Sequence, residues 1–250
     1  MLTQRTRKLF WENPFLSRAR AQVVHVDGSE VRLDRTIVFS FSGGQESDDA
    51  TLNDTPVVRS RIQEHDIYYM LSPVTPHNLH VGDDVVMQIN WERRNRLMRY
   101  HMLCELVLVL FNRYFGDFEE SRELEPHHID NSGIFKVMAR MTETSAYVDF
   151  DHDNLTTVIP SIQAELDRII AANLTIETGY LDEALEQRYW KIAGLATVPC
   201  GGTHVRSTGE IGPAVLNRER TGSKVTATRK AERIKIRLKN PAPSVEAYVE

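Results

Sequence analysis

From Glu92 to Phe115 the chain runs without a glycine or a proline, and Glu, Arg, Leu and Met dominate. That composition predicts one helix of about 24 residues. Its first half is basic, with Arg93, Arg94, Arg96 and Arg99, while Leu106 to Phe111 is apolar on every face. A helix that is apolar all round belongs inside a core, so the rest of the chain must wrap this segment. The polar residues between Tyr100 and Phe111 are His101, Cys104 and Glu105. Residues four apart share a helix face, so His101 and Glu105 point the same way. A carboxylate in an apolar helix core is costly unless it is paired, protonated or bound to a cation. Two readings stay open: Glu105 pairs with an arginine and His101 is a satisfied core histidine, or the two help to hold a metal.

Ahead of this helix the pattern is different. Val23–Val26, Val31–Leu33, Arg35–Phe41, Ile67–Leu71 and Asp84–Ile89 are β-branched or aromatic runs, separated by Asp27-Gly28, Ser42-Gly43-Gly44, Pro73, Pro76 and Gly82-Asp83. Short strands between turn residues predict a small all-β module, a compact barrel or sandwich. After the helix, Phe135–Met141 and Ala146–Phe150 read as paired strands around Glu143 and Thr144. Leu155 to Asn173 carries a helical stripe with Pro160 in its first turn. Leu181 to Trp190 reads as a second, shorter helix, and in Arg233–Lys239 the apolar Ile234, Ile236 and Leu238 alternate with bases, the pattern of a half-buried strand with a positive outer face.

A second cluster bears on the open question at Glu105. In Pro199-Cys200-Gly201-Gly202-Thr203-His204 a Cys and a His stand four apart where proline and glycines disfavour a regular helix. A loop of this kind can bring both side chains to one point, and Cys with His is a preferred donor pair for Zn²⁺. Together with His101 and Glu105 it offers four donors from two distant segments. His77, His80, His127 and His128 are also potential ligands or bases, and read as surface-loop residues.

The chain has 250 residues, two of them cysteines, with 30 basic and 35 acidic side chains. Two cysteines supply no disulfide framework, and a chain this long needs none. No run approaches the roughly 18 consecutive apolar residues of a membrane span, and the start lacks the apolar core of a secretory signal; the expected location is the cytoplasm. The net charge of −5 argues against indiscriminate coating of nucleic acid. Charge is nevertheless segregated along the sequence. Acids dominate from Gly116 to Gln187, whereas Arg218, Arg220, Lys224, Arg229, Lys230, Arg233, Lys235, Arg237 and Lys239 are interrupted only by Glu219 and Glu232.

Three segments carry a resemblance to a known family: Gly43-Gly44-Gln45, the stretch VGDDVVMQINWERRNRLMRYH from Val81 to His101, and CGGTHVRSTGEIG from Cys200 to Gly212. They resemble the freestanding alanyl-tRNA editing proteins of the AlaX type, medium-sized class, and the editing domain of alanyl-tRNA synthetase. The resemblance implies an α+β protein, with a small β-barrel-like module over residues 1–90 that carries the GGQ loop. A two-layer α/β aminoacyl-tRNA editing domain would follow over residues 91–250. It implies no aminoacylation domain. The family binds zinc through a helical His-x-x-x-His and a Cys-x-x-x-His. His101, Cys200 and His204 match three ligands, but Glu105 stands where the second helical His is expected. A carboxylate can replace imidazole on zinc, adding negative charge and weakening the metal as a Lewis acid. The alternatives are a site of three residues and a water, or loss of the metal.

The activity implied is hydrolysis of the ester that joins a wrong amino acid, chiefly serine, to alanine tRNA. Gln45 and Thr203 are then the candidate substrate-contacting residues. Arg93, Arg94, Arg96, Lys224, Arg229 and Lys230 are candidates for phosphates of the tRNA acceptor end, contacts that position without reading sequence. The rival reading is a catalytically silent tRNA-binding or regulatory homologue, favoured by Glu105. The sequence sets no oligomeric state.

Overall fold

The computed structural model describes residues 5–75, 77–115, 135–151, 155–224, 230–239 and 245–250. The chain is mixed α+β and divides into two compact units, one of Met1–Ser42, Glu46–Asn95 and Val245–Glu250, the other of Gly43–Gln45 and Arg96–Ser244.

The first unit is a closed antiparallel barrel of six strands: β1 (Leu16–Asp27), β2 (Glu30–Leu33), β3 (Ala50–Leu52), β4 (Thr55–Gln63), β5 (Asp66–Leu71) and β6 (Asp84–Ile89). Their order is β1-β2-β5-β4-β3-β6, and β6 pairs back onto β1 from Arg18↔Gln88 to Gln22↔Asp84. Closure leaves no free edge around the ring. Strand β1 shows why these residues form it: Ala19, Ala21 and Val23 are buried while Arg18, Arg20 and Gln22 are exposed, a period of two. The interior is filled by Val31, Leu33, Leu52, Ile67, Tyr69, Leu71, Val85 and Met87.

One expected strand is mostly absent. Of the run Arg35–Phe41, only Arg35–Thr36 forms a ladder, parallel to Arg7–Lys8. Ile37, Val38 and Phe39 are buried without strand pairing. Side chains satisfy the backbone groups a ladder would otherwise use. Val38 N donates to Thr36 Oγ1 at 3.0 Å, Phe39 N to Asp48 Oδ2 at 2.7 Å, and Ile37 O accepts from Arg94 Nη2 at 2.6 Å.

The predicted long helix is α1 (Trp91–Phe115). Its residues from Arg96 onward belong to the second unit. Leu97, Met98, Met102, Leu103, Leu106, Val107 and Phe111 are fully buried, as an all-apolar segment requires. The second unit contains a four-stranded antiparallel sheet made from β7 (Phe135–Met141), β8 (Ala146–Asp151), β12 (Ala214–Lys224) and β13 (Lys230–Leu238), in the order β12-β13-β8-β7. Ile234 and Ile236 are buried and Arg237 is exposed, the alternation expected of β13. Arg233 forks onto the buried Asp149, with Nε at 2.7 Å and Nη2 at 2.9 Å. Helix α2 (Ile159–Ala171), with Pro160 in its first turn, buries Ile162, Leu166 and Ile169. Its Gln163 accepts from Leu216 N at 2.8 Å and donates to Ala214 O at 3.2 Å, pinning it to β12.

The short helix expected at Leu181–Trp190 does not form. That segment lies instead in a second antiparallel sheet of β9 (Glu177–Asp182), β10 (Gln187–Ile192) and β11 (Ala196–Pro199). Of the helix-forming Leu-Asp-Glu-Ala-Leu-Glu, Leu181 and Asp182 end β9 and residues 183–186 form the hairpin turn, in which Glu186 takes φ +54°. Beyond it Arg188, Trp190 and Ile192 are buried while Lys191 is exposed, so the strand period overrides local propensity.

Candidate metal centre

Two segments build the site. Helix α1 carries His101 and, one turn on, Glu105. The second segment is the loop after β11, whose start is fixed where Cys200 N donates to Arg188 O at 2.8 Å. The structure brings His101, Cys200 and His204 together, with one donor atom from each within 4.8 Å of the others. His101 Nε2 is 3.1 Å from Cys200 Sγ, and the two imidazole rings have centroids 4.9 Å apart. Gly202 makes this approach possible. A Cβ built on it would lie 1.8 Å from His101 Cε1, so no other residue fits there without moving the histidine.

Glu105 sits beside this group. Its Oε1 is 3.5 Å from His101 Nε2 and 4.0 Å from Cys200 Sγ, and its Oε2 accepts a hydrogen bond from Trp190 Nε1 at 3.2 Å. The carboxylate therefore faces histidine and indole, at the edge of the Cys/His cluster.

The two histidines are both almost wholly buried, at 2 % and 4 % exposure, yet their electrostatics differ. Burial works against a charged His101, but the Cys200 sulfur and the Glu105 carboxylate outweigh it and push its pKa up to about 10. Burial, followed by the charges of His101 and Arg188, holds His204 well below the usual histidine range. His204 is therefore the neutral imidazole, the form that ligates metals. Its Nε2 is buried and has no hydrogen-bond partner among the described residues. An unsatisfied buried nitrogen beside a thiol and a second imidazole is the pattern a metal explains. The donor set of one sulfur and two nitrogens is one zinc takes.

Gln45 and Thr203 lie against the same histidine. Gln45 is 0 % and Thr203 1 % exposed. His101 Nδ1 is 2.5 Å from Gln45 Oε1, and Gln45 Nε2 donates to Thr203 Oγ1 at 2.8 Å.

The candidate phosphate-binding residues fall elsewhere. Arg94 is fully buried in an ion pair with Asp48 in the barrel unit, with a further bond from Nη1 to Pro14 O at 2.9 Å. It cannot meet a phosphate, because its charge is spent inside the barrel. Arg93 is engaged by Glu46 at 3.0 Å and Asp49 at 3.5 Å. Arg96 is half-buried. Arg229 lies outside the described residues, as do the side chains of Lys224 and Lys230. His127 and His128 also lie outside the described residues.

Sequence reading missed three contributors: Trp190, Arg188 and Gly202. The first two were hidden by the mistaken helix, although Trp190 on an alternating strand pattern was a signal of burial. No helix among the described residues is long and apolar enough to cross a membrane.

Comparison with known proteins fits this geometry. The model of the threonyl and alanyl tRNA synthetase second additional domain matches residues 191–230, which include Cys200 and His204. The alanyl-tRNA editing protein AlaX-M of Pyrococcus horikoshii is 26% identical over 208 residues, covering 83% of this chain and 88% of that protein. An alanine–tRNA ligase of Saccharolobus islandicus is 27% identical over 232 residues, covering 87% of this chain but 25% of the ligase. That of Ignicoccus hospitalis is 28% identical over 228 residues, covering 83% of this chain and 24% of the ligase. The chain thus spans about a quarter of the length of the ligases it matches.

Proposed function

We propose that this chain, which resembles AlaX-type alanyl-tRNA editing proteins along most of its length, is a trans-editing deacylase. It would clear mischarged alanine tRNA, with Ser-tRNA(Ala) as the first substrate to test, by metal-assisted ester hydrolysis in the cytoplasm. The observation that carries the metal part is the buried, unpartnered His204 Nε2 beside Cys200 and His101. The matched domain and the relatives' names support alanyl-tRNA editing.

In this reading His101 Nε2, Cys200 Sγ and a His204 nitrogen hold Zn²⁺, and Glu105 is the candidate fourth donor. When bound, zinc supplies a Lewis acid that polarises an ester carbonyl or lowers the pKa of a water. The chain's own residues do the rest. Burial of both imidazoles excludes bulk water and keeps His204 neutral. Where Glu105 does not bind the metal, the fourth position is open to a water or the ester, and its carboxylate, with one oxygen held by Trp190 and the other turned to the cluster, can accept a proton from an attacking water. Arg96, Lys224, Arg229 and Lys230 are the proposed phosphate contacts at the acceptor end. In the same proposal the barrel module is the unit of Met1–Ser42, Glu46–Asn95 and Val245–Glu250, and the editing domain is the unit of Gly43–Gln45 and Arg96–Ser244, in place of a single cut at residue 90.

A second reading has its own support. Glu105 occupies the place of a ligating histidine and is already satisfied by Trp190 and His101, as in a homologue that kept tRNA binding and lost catalysis. Zinc-loaded wild-type protein and Glu105→His, each given Ser-tRNA(Ala), separate the two. The deacylase reading expects serine release by the wild type. A silent wild type with an active Glu105→His variant establishes the second reading.

A further inference from the structure

We infer that Gln45 is a positioning residue for the metal centre, holding His101 by its Nδ1 so that Nε2 is presented to the metal. The inference rests on the metal reading above for its consequence, and on geometry alone for the contact.

Among the described residues, the polar contacts of the Gln45 side chain go to the two metal-bearing segments. Oε1 lies 2.5 Å from His101 Nδ1 and accepts from Thr203 N at 3.2 Å, and Nε2 donates to Thr203 Oγ1 at 2.8 Å. An amide oxygen only accepts, so the nitrogen facing it must carry the proton. Nδ1–H therefore donates to Gln45, and Nε2 is left facing Cys200 Sγ at 3.1 Å. Two donors fill the two lone pairs of Oε1, and the side chain has no exposed surface. A group so committed cannot also meet a substrate. It does what a partner to a ligating histidine does: it selects the ring nitrogen that binds and fixes the ring plane. Because Thr203 lies one residue before His204, the same amide also ties the ligand-bearing loop to the helix.

The backbone explains how an uncharged glutamine from a turn reaches this place. Gly44 takes φ +89°, and a Cβ on it would lie 2.4 Å from Ala139 O. Gly44 O accepts from Met141 N at 3.0 Å, and Gln45 bridges Met141 in parallel. Only glycine permits that approach to the edge of β7, and the approach aims the next side chain at His101.

The test uses the full chain with Gln45→Ala and Gln45→Glu. In metal-free protein, ¹H–¹⁵N spectra of the His101 ring should show a downfield, slowly exchanging Nδ1–H in the wild type. It should be lost in Gln45→Ala and kept in Gln45→Glu, which retains an acceptor oxygen. Competition titration with a zinc chelator should show affinity about 10–100-fold lower in Gln45→Ala, with recovery in Gln45→Glu. An Nδ1–H resonance that persists in Gln45→Ala, or a zinc affinity that stays at the wild-type value, overturns the inference. If the wild type itself holds no zinc, the metal reading fails, while the ring spectra still decide whether Gln45 holds His101.

Discussion

Trp190 Nε1 donates to Glu105 Oε2 at 3.2 Å, joining a fully buried indole on β10 to the one carboxylate in the buried stretch of α1. The bond leaves Oε1 turned toward His101 and Cys200. Replacing the indole by Phe keeps an aromatic ring but removes the donor. Hydrogen bonds to charged groups contribute roughly 1.5–3 kcal/mol. Trp190→Phe should lower stability by about 2 kcal/mol in urea unfolding and weaken zinc binding. An unchanged midpoint and zinc affinity would show that Glu105 is oriented by something else.

Gly202→Ala tests the close approach of the loop to the helix. The added methyl would lie 1.8 Å from His101 Cε1 and must push the ring or the loop away. Overpacking of this kind costs about 1–3 kcal/mol. The sharper expectation is loss of most zinc affinity with circular dichroism of the folded chain retained. Tight zinc binding by Gly202→Ala would contradict the observed packing.

Arg94 belongs to the barrel and not to a phosphate site. Arg94→Met should strand Asp48 as an unpaired buried charge, at about 3–5 kcal/mol. Under conditions where the variant is folded, its affinity for tRNA should equal the wild type's. A selective loss of tRNA binding with normal stability would reverse this assignment.

The two histidines predict opposite pH dependences in metal-free protein. His101 is raised from 6.5 to about 10 by Cys200 and Glu105 against burial. Its contribution to stability is complete below about 6.5 and fades as pH rises toward 10. His204 is depressed by burial and by His101 and Arg188, so its contribution is complete above 6.5 and fades as pH falls below it. Urea midpoints of chelator-treated protein should therefore decline on both sides of neutrality. His101→Gln should flatten the alkaline side, and His204→Gln the acidic side. A variant profile parallel to the wild type's would refute the corresponding assignment.

The parts of this molecule that could be read from sequence are those where one local pattern decides. The apolar stretch Leu106–Phe111 announces a buried helix, and the β-branched run Val23–Val26 marks the end of β1, whose first half, residues 16–22, is not read as a strand. Cys200-x-x-x-His204 is legible as a donor pair because its glycines forbid a helix. Where partners come from afar the sequence is silent. Arg94 reads as one base among several until Asp48, 46 positions away, closes on it. Ile37–Phe39 reads as a strand because nothing local says that Thr36, Asp48 and Arg94 will serve in place of a ladder. Leu181–Trp190 reads as a helix because Leu, Glu and Ala are good helix formers, whereas its pairing with β9 and β11 is set by the sheet. Gln45 was visible in Gly-Gly-Gln, but its bond to His101 spans 56 positions and belongs to the folded state alone.

The most direct test of the metal centre is zinc stoichiometry combined with X-ray absorption at the zinc edge, on wild type and on Cys200→Ala. The wild type should hold one zinc per chain, with one sulfur at about 2.3 Å and the remaining nitrogen or oxygen ligands at about 2.0–2.1 Å. Cys200→Ala should lose the sulfur shell and most of the metal. A wild-type chain that retains no zinc after dialysis, or binds it with no sulfur neighbour, would contradict the assignment of His101, Cys200 and His204 as its ligands.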